Sequence, residues 1–106
     1  MSEDRPAEPL RVVLHAPTEG ALARARSNLR NLLAEAPDTQ VRIVANADGV
    51  AAALAVPDAD ADRHLLLCAN TLRTRGLEAP AGLATVPAAV HALATLQRNG
   101  WLYIRA

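Results

Sequence analysis

Short apolar runs alternate with amphipathic stretches along this chain, and the alternation defines its elements. Leu10-Arg11-Val12-Val13-Leu14-His15 is a β-branched run of strand length. From Thr18 to about Ala36, Leu22, Ala25, Leu29, Leu32, Leu33 and Ala36 fall on one face of a 3.6-residue period, with Arg24, Arg30 and Glu35 mostly elsewhere. Thr18 reads as the N-cap of that helix and Pro37 as its stop. Residues 41–45 alternate as a second strand. Asp48 is placed to cap a short helix over 49–55 that ends before Pro57, and residues 57–63 read as a polar loop. A third strand covers 64–68, and a short helix over 70–75 ends at Gly76. A fourth strand covers 84–86. Pro87 suits the first turn of a helix running to about Arg98, with Gly100 closing it. Residues 101–104 form the last strand. The order βαβαβαβαβ predicts parallel pairing through right-handed crossovers. The expected fold is α/β, a three-layer α/β/α sandwich around a mainly parallel five-stranded sheet. It occupies 10–106 as a single domain behind a mobile tail, residues 1–9, with Pro6 and Pro9.

Composition narrows the chemistry. The chain has 106 residues, 51% of them hydrophobic and 21% charged, an ordinary globular balance. Eleven basic and eleven acidic residues give a net charge of +0, without the basic surplus that non-specific nucleic-acid binding needs. All the basic residues are Arg, which excludes a Schiff-base lysine and a P-loop lysine. One Cys excludes an internal disulfide and a multi-Cys metal centre. No apolar run approaches the roughly 20 residues of a membrane span, and the polar, acidic start Met1-Ser2-Glu3-Asp4 shows no targeting signal. A cytoplasmic protein without metal or cofactor is expected. The apolar content is mostly Ala, Leu and Val, with no Phe. Such a short, Ala-rich core leaves a lone subunit a thin margin, which points to self-association.

In open parallel sheets, ligands gather beyond the carboxyl ends of the strands. The first strand ends at His15, the second at Asn46 and the third at Cys68, followed by Asn70 and Thr71. The only Cys therefore sits where a helix begins. Unpaired N–H groups and the helix dipole there favour the thiolate, which is the nucleophilic form. Cys68 is the candidate catalytic residue. Asn70, Thr71, His15 and Asn46 are candidate substrate- or anion-binding residues. A buried, inert thiol after three leucines is the competing reading of Cys68, and helix capping the competing reading of Asn70 and Thr71. His15 also stands as a possible acid–base partner for the thiol, against a hydrogen-bonded structural role.

Other constellations fail. Asp58, Asp60 and Asp62 alternate like the start of a calcium loop, but Arg63 stands where Gly is needed and Ala69 where Glu is needed, so a solvated acidic loop is expected. His15, His64 and His91 lie on separate elements. There is no Gly-rich phosphate loop after the first strand and no nucleophile elbow. The serines, Ser2 and Ser27, fall in the tail and in mid-helix.

Four segments, in order, resemble one family. Cys68-Ala69-Asn70-Thr71-Leu72 is similar to the Cys-x-Asn-Thr-Leu segment of DsrE/DsrF-like proteins, of the YchN-like fold. Residues 28–33 resemble their Asn-containing first helix, and 44–50 their second strand and turn, although Asn46-Ala47 stands where many members carry a Gly-containing segment. Residues 100–105, Gly-Trp-Leu-Tyr-Ile-Arg, resemble their closing strand. The resemblance implies the same sandwich with the last strand beside the first, and homotrimers or hexamers. It also implies a Cys that accepts sulfane sulfur as a persulfide and passes it to a partner protein, here Cys68, with no second Cys to relay it.

Two functions follow as expectations. One is a sulfur-relay protein carrying a persulfide on Cys68 between donor and acceptor proteins. The other is a non-enzymatic oligomeric scaffold or small-anion-binding module with Cys68 inert. In both the protein is a homo-oligomer, trimer or hexamer, without nucleic-acid or membrane partners. Trp101 and Tyr103, two apart on the last strand, share a face that suits an interface or covers a helix within the subunit.

Overall fold

The sheet has the strand order β4-β3-β2-β1-β5, and every pairing in it is parallel. The computed structural model describes residues 8–106; the tail expected over 1–9 lies mostly outside them, and residues 8–10 precede the first strand without regular structure. The strands are β1 (Arg11–Ala16), β2 (Gln40–Ala45), β3 (Leu65–Cys68), β4 (Ala84–Val86) and β5 (Leu102–Arg105). The helices are α1 (Glu19–Glu35), α2 (Asp48–Ala55), α3 (Ala59–Asp62), α4 (Ala69–Thr74) and α5 (Ala89–Arg98). From β1 to β4 the chain steps one way along the sheet. From β4 to β5 it crosses back to the far edge. Right-handed crossovers then place α1 and α2 on one face and α5 on the other, giving three layers.

Register sorts the core between these faces. Leu14, Ile43 and Leu65 are aligned neighbours, all buried, on the α1 side. Val13, Val44 and Cys68 alternate to the α5 side. The middle strands are buried on both faces, which is why β1 and β3 read as near-continuous apolar runs.

The helix ends show why these segments fold as they do. Thr18 Oγ1 accepts the Ala21 N–H at 3.0 Å, the expected cap of α1. Gly100, at φ 91°, closes α5: its N–H donates to Gln97 O, and the Trp101 N–H to Leu96 O. That is a Schellman closure, and Gly76 closes α4 in the same way.

Four expectations need correcting. The polar loop over 57–63 contains α3, capped by Asp58, whose Oδ1 accepts the Ala61 N–H. Its acids are not simply solvated. Asp62 pairs with Arg26 at 2.9 Å and Asp58 with Arg30 at 2.7 Å. The cause lies on α1, where Arg26 sits on the inward face and is buried with Leu22 and Leu29. Asp48 does not cap α2; it is that helix's first residue, and Ala47 occupies the cap with no side chain to offer. Pro87 lies two residues ahead of α5, whose cap is Ala88. Trp101 precedes β5, because its N–H is taken by the helix closure, and its ring lies against the guanidinium groups of Arg11 and Arg42.

Among the described residues no helix is long and apolar enough to cross a membrane, and no group of three or more His, Cys, Asp or Glu side chains gathers to hold a metal.

Candidate functional site

Cys68 ends β3 and is the N-cap of α4. It is 4% exposed. The β4–α5 junction closes over it, because the Asn70 N–H donates to Pro87 O at 3.2 Å and the Ala89 N–H donates to Cys68 Sγ at 3.4 Å. The sulfur thus sits between the first turns of two helices. Burial is the largest single influence on the thiol and raises its pKa. The Thr71 and Ala89 N–H groups, the Thr71 hydroxyl and the Asn70 N–H work against it, and together they leave the thiol below its ordinary value. The direction is the one a strand-to-helix junction implies. Sγ accepts a hydrogen bond inside the fold, with little exposure to water.

His15 lies on the same sheet face but serves another group. Its Nδ1 is 2.7 Å from Tyr103 Oη and its Nε2 is 2.9 Å from Asn46 Oδ1. With the amide oxygen as acceptor, Nε2 carries the proton, and in the neutral ring Nδ1 accepts the Tyr103 O–H. Both ring nitrogens are therefore occupied, on a strand two places from β3. The partnership between His15 and Cys68 considered from sequence is not present. The structure instead makes a row of Asn46, just past β2, His15, near the carboxyl end of β1, and Tyr103, the second residue of β5.

Thr71 is buried, and its Oγ1 accepts the Ala47 N–H at 3.1 Å. Asn70 is exposed, and its Oδ1 accepts from Arg73. It sits inside the first turn of α4 rather than at the cap, so its side chain neither caps the helix nor faces the sulfur. Of the candidates, Cys68 and Thr71 come together, Asn46 and His15 come together, and Asn70 contributes only its backbone N–H.

Between these pairs lies a strained turn. Ala47 has φ 49° and ψ −133°, a region essentially reserved for glycine. Gly49, two residues on, packs so tightly that a Cβ there would meet Ala16 O at 2.0 Å. The chain passes between β1 and α4 on its way into α2, and only this backbone path fits. Replacing Ala47 by Gly is expected to stabilise the fold by about 1 kcal/mol, read as a higher urea midpoint with an unchanged slope.

No protein-family model and no curated protein matches the chain. In structure it is similar to protein MTH1491 of Methanobacterium thermoautotrophicum, whose function is unknown. The TM-score is 0.74 at 26% sequence identity, over 92% of this chain and 99% of that one. The likeness extends over nearly the whole fold, and so includes the carboxyl edge on which Cys68 lies.

Two contributors escaped the sequence reading. Ala89 acts through its backbone, and the signal was available: a helix starting just after β4 must point its free N–H groups at the carboxyl edge. Tyr103 was weighed as an interface residue, but an order with β5 beside β1 sets it within reach of His15.

Proposed function

We propose that the protein is a sulfur carrier of the DsrE/DsrF-like kind that holds sulfane sulfur as a persulfide on Cys68. The supporting observation is the Ala89 N–H donated to Sγ at 3.4 Å from α5, beside the N–H groups of the first turn of α4, which favour the thiolate. The Cys68 thiolate attacks the outer sulfur of a donor persulfide R–S–SH. A sulfur–sulfur bond forms at Cys68, the sulfur–sulfur bond of the donor breaks, and the departing R–S⁻ takes the persulfide proton. The products are Cys68–S–S⁻ and R–SH, with no net oxidation. The same N–H groups suit the terminal persulfide anion, which carries the charge one atom further out. Transfer to an acceptor protein repeats the step in the other direction. The cytoplasm, which keeps thiols reduced, suits this chemistry.

Burial supports the other reading, a scaffold or anion-binding module whose thiol is inert. Alkylation of the native protein separates the two. A carrier's Cys68 reacts with a small electrophile while the fold is intact. A thiol that reacts only after unfolding makes Cys68 a core residue.

The same proposal includes assembly into a trimer or hexamer. Edge strand β5 exposes Leu102, Tyr103 and Ile104. Its outer side has no partner strand among the described residues. Such an edge invites pairing with another chain unless it is covered. Light scattering at micromolar concentration tests this, and a monomer would remove assembly from the proposal.

A further inference from the structure

The row of Asn46, His15 and Tyr103 is connected and has a direction. Asn46 Oδ1 accepts the His15 Nε2–H at 2.9 Å, which sets the tautomer and leaves the Nδ1 lone pair to accept the Tyr103 O–H at 2.7 Å. The main chain holds these groups in place. The Asn46 N–H donates to Ala16 O at 3.3 Å and the Ala106 N–H to His15 O at 3.0 Å, so the parallel ladder continues past the ends of β2 and β5. The Asn46–His15 bond is part-buried, whereas the His15–Tyr103 bond is exposed and Tyr103 is 41% accessible. Water would satisfy a phenol at the surface; this one meets an oriented imidazole instead. An O–H, a base within hydrogen-bond reach of it, and a third group that orients the base are the parts of an activated nucleophile.

The geometry points to Tyr103 as the nucleophile of a second site, with His15 as its general base and Asn46 as the positioning residue for His15, acting on acyl groups carried as thioesters or aryl esters. His15 Nδ1 takes the phenol proton as Oη attacks the carbonyl carbon. A carbon–oxygen bond forms at Tyr103, the bond from that carbon to the leaving sulfur or oxygen breaks, and the leaving group takes the proton from Nδ1. Water repeats the step on acyl-Tyr103: His15 takes its proton, the carboxylic acid forms, and Oη leaves with the proton. Nothing is oxidised or reduced. The leaving group sets the class. An alkoxide is a far stronger base than a phenolate and would be retained, whereas a thiolate is a weaker one and departs. Leu102 and Ile104 point to the α1 face and Tyr103 to the α5 face, so the apolar side of β5 that suits a partner is not the side that carries the phenol. The inference does not rest on Cys68.

The test is acetylation of the folded full-length chain by p-nitrophenyl acetate, followed by mass spectrometry of its peptides. The chain has one Tyr and one Cys, and cleavage after Arg separates residues 99–105 from residues 64–73, so acetyl on Tyr103 is read apart from acetyl on Cys68. The initial rate at Tyr103 is expected to exceed that of N-acetyltyrosine amide by about a hundredfold, and His15→Gln to return it to that reference with the urea midpoint showing the variant folded. Asn46→Ala, which frees the tautomer, is expected to slow the reaction about tenfold, and Asn46→Asp, which keeps an accepting oxygen, to recover it. A wild-type Tyr103 that reacts at the reference rate overturns the proposal, and so does a folded His15→Gln that reacts at the wild-type rate. Where His15→Gln does not fold, the Asn46 variants carry the comparison, and equal rates in Ala, Asp and wild type overturn it.

Discussion

Replacing Ala89 by Pro is expected to raise the alkylation midpoint of Cys68 by about one pH unit, a roughly tenfold loss of thiolate near neutrality. Ala89 is the first residue of α5, the position at which a helix best tolerates proline, and the preceding Ala88 is extended, as a residue before proline prefers. The substitution deletes the N–H donated to Sγ at 3.4 Å and sets the proline Cδ toward the buried sulfur, so the urea midpoint is read beside the alkylation midpoint. A charge-assisted bond of this kind is stronger than a neutral one. The rate at a single pH is a poor readout, because a thiolate of higher pKa is also more nucleophilic, so the midpoint is the quantity to follow. Stability offers a second check. The folded thiol lies below its ordinary value, so the contribution is present above the unfolded pKa and lost as pH falls through the folded pKa. In Ala89→Pro the span between the two values narrows, and this pH-dependent part of stability shrinks. A midpoint that stays at the wild-type value would show that the Ala89 N–H does not hold the thiolate.

The largest expected effect on stability is at Arg26. Its guanidinium is buried on α1 and donates to Val56 O at 2.6 Å and Ala53 O at 3.5 Å, the carbonyls that end α2. It also pairs with Asp62 of α3 at 2.9 Å. Arg26→Ala would leave a carboxylate and two helix-end carbonyls without their partner in a mostly dry setting. The expected loss is about 3 kcal/mol, large against the 5–15 kcal/mol total typical of a domain. Urea unfolding measures it. Asp62→Asn should cost less, because its side-chain oxygen can still accept from Arg26. A loss below about 1 kcal/mol in Arg26→Ala would place the pair in the weak class of surface ion pairs.

These two residues show what a sequence can disclose. The parallel sheet was legible because strand and helix periods alternate cleanly, and because Thr18, Pro37, Gly76 and Gly100 mark helix ends by mechanisms local to a few residues. Cys68 was legible as a site residue because the carboxyl-edge rule needs only the strand ends. Arg26 was not. Its position within the apolar face of α1 has meaning only once Asp62 and the end of α2 are packed against it, and those lie 27 to 36 residues away. The same holds for His15, whose partner Tyr103 lies 88 residues on. Ala47 was invisible for another reason: a strained backbone leaves its usual trace as a glycine, and here the glycine is absent. Ala89 donates through its main chain, which no side-chain pattern records.

The most direct measurement is mass spectrometry of the folded full-length chain after incubation with a low-molecular-weight persulfide donor. The account expects one added sulfur on the peptide containing Cys68, removed by a thiol reductant and absent in Cys68→Ser. A folded protein that takes up no sulfur, while the denatured chain takes it up readily, would contradict it and leave Cys68 as part of the core.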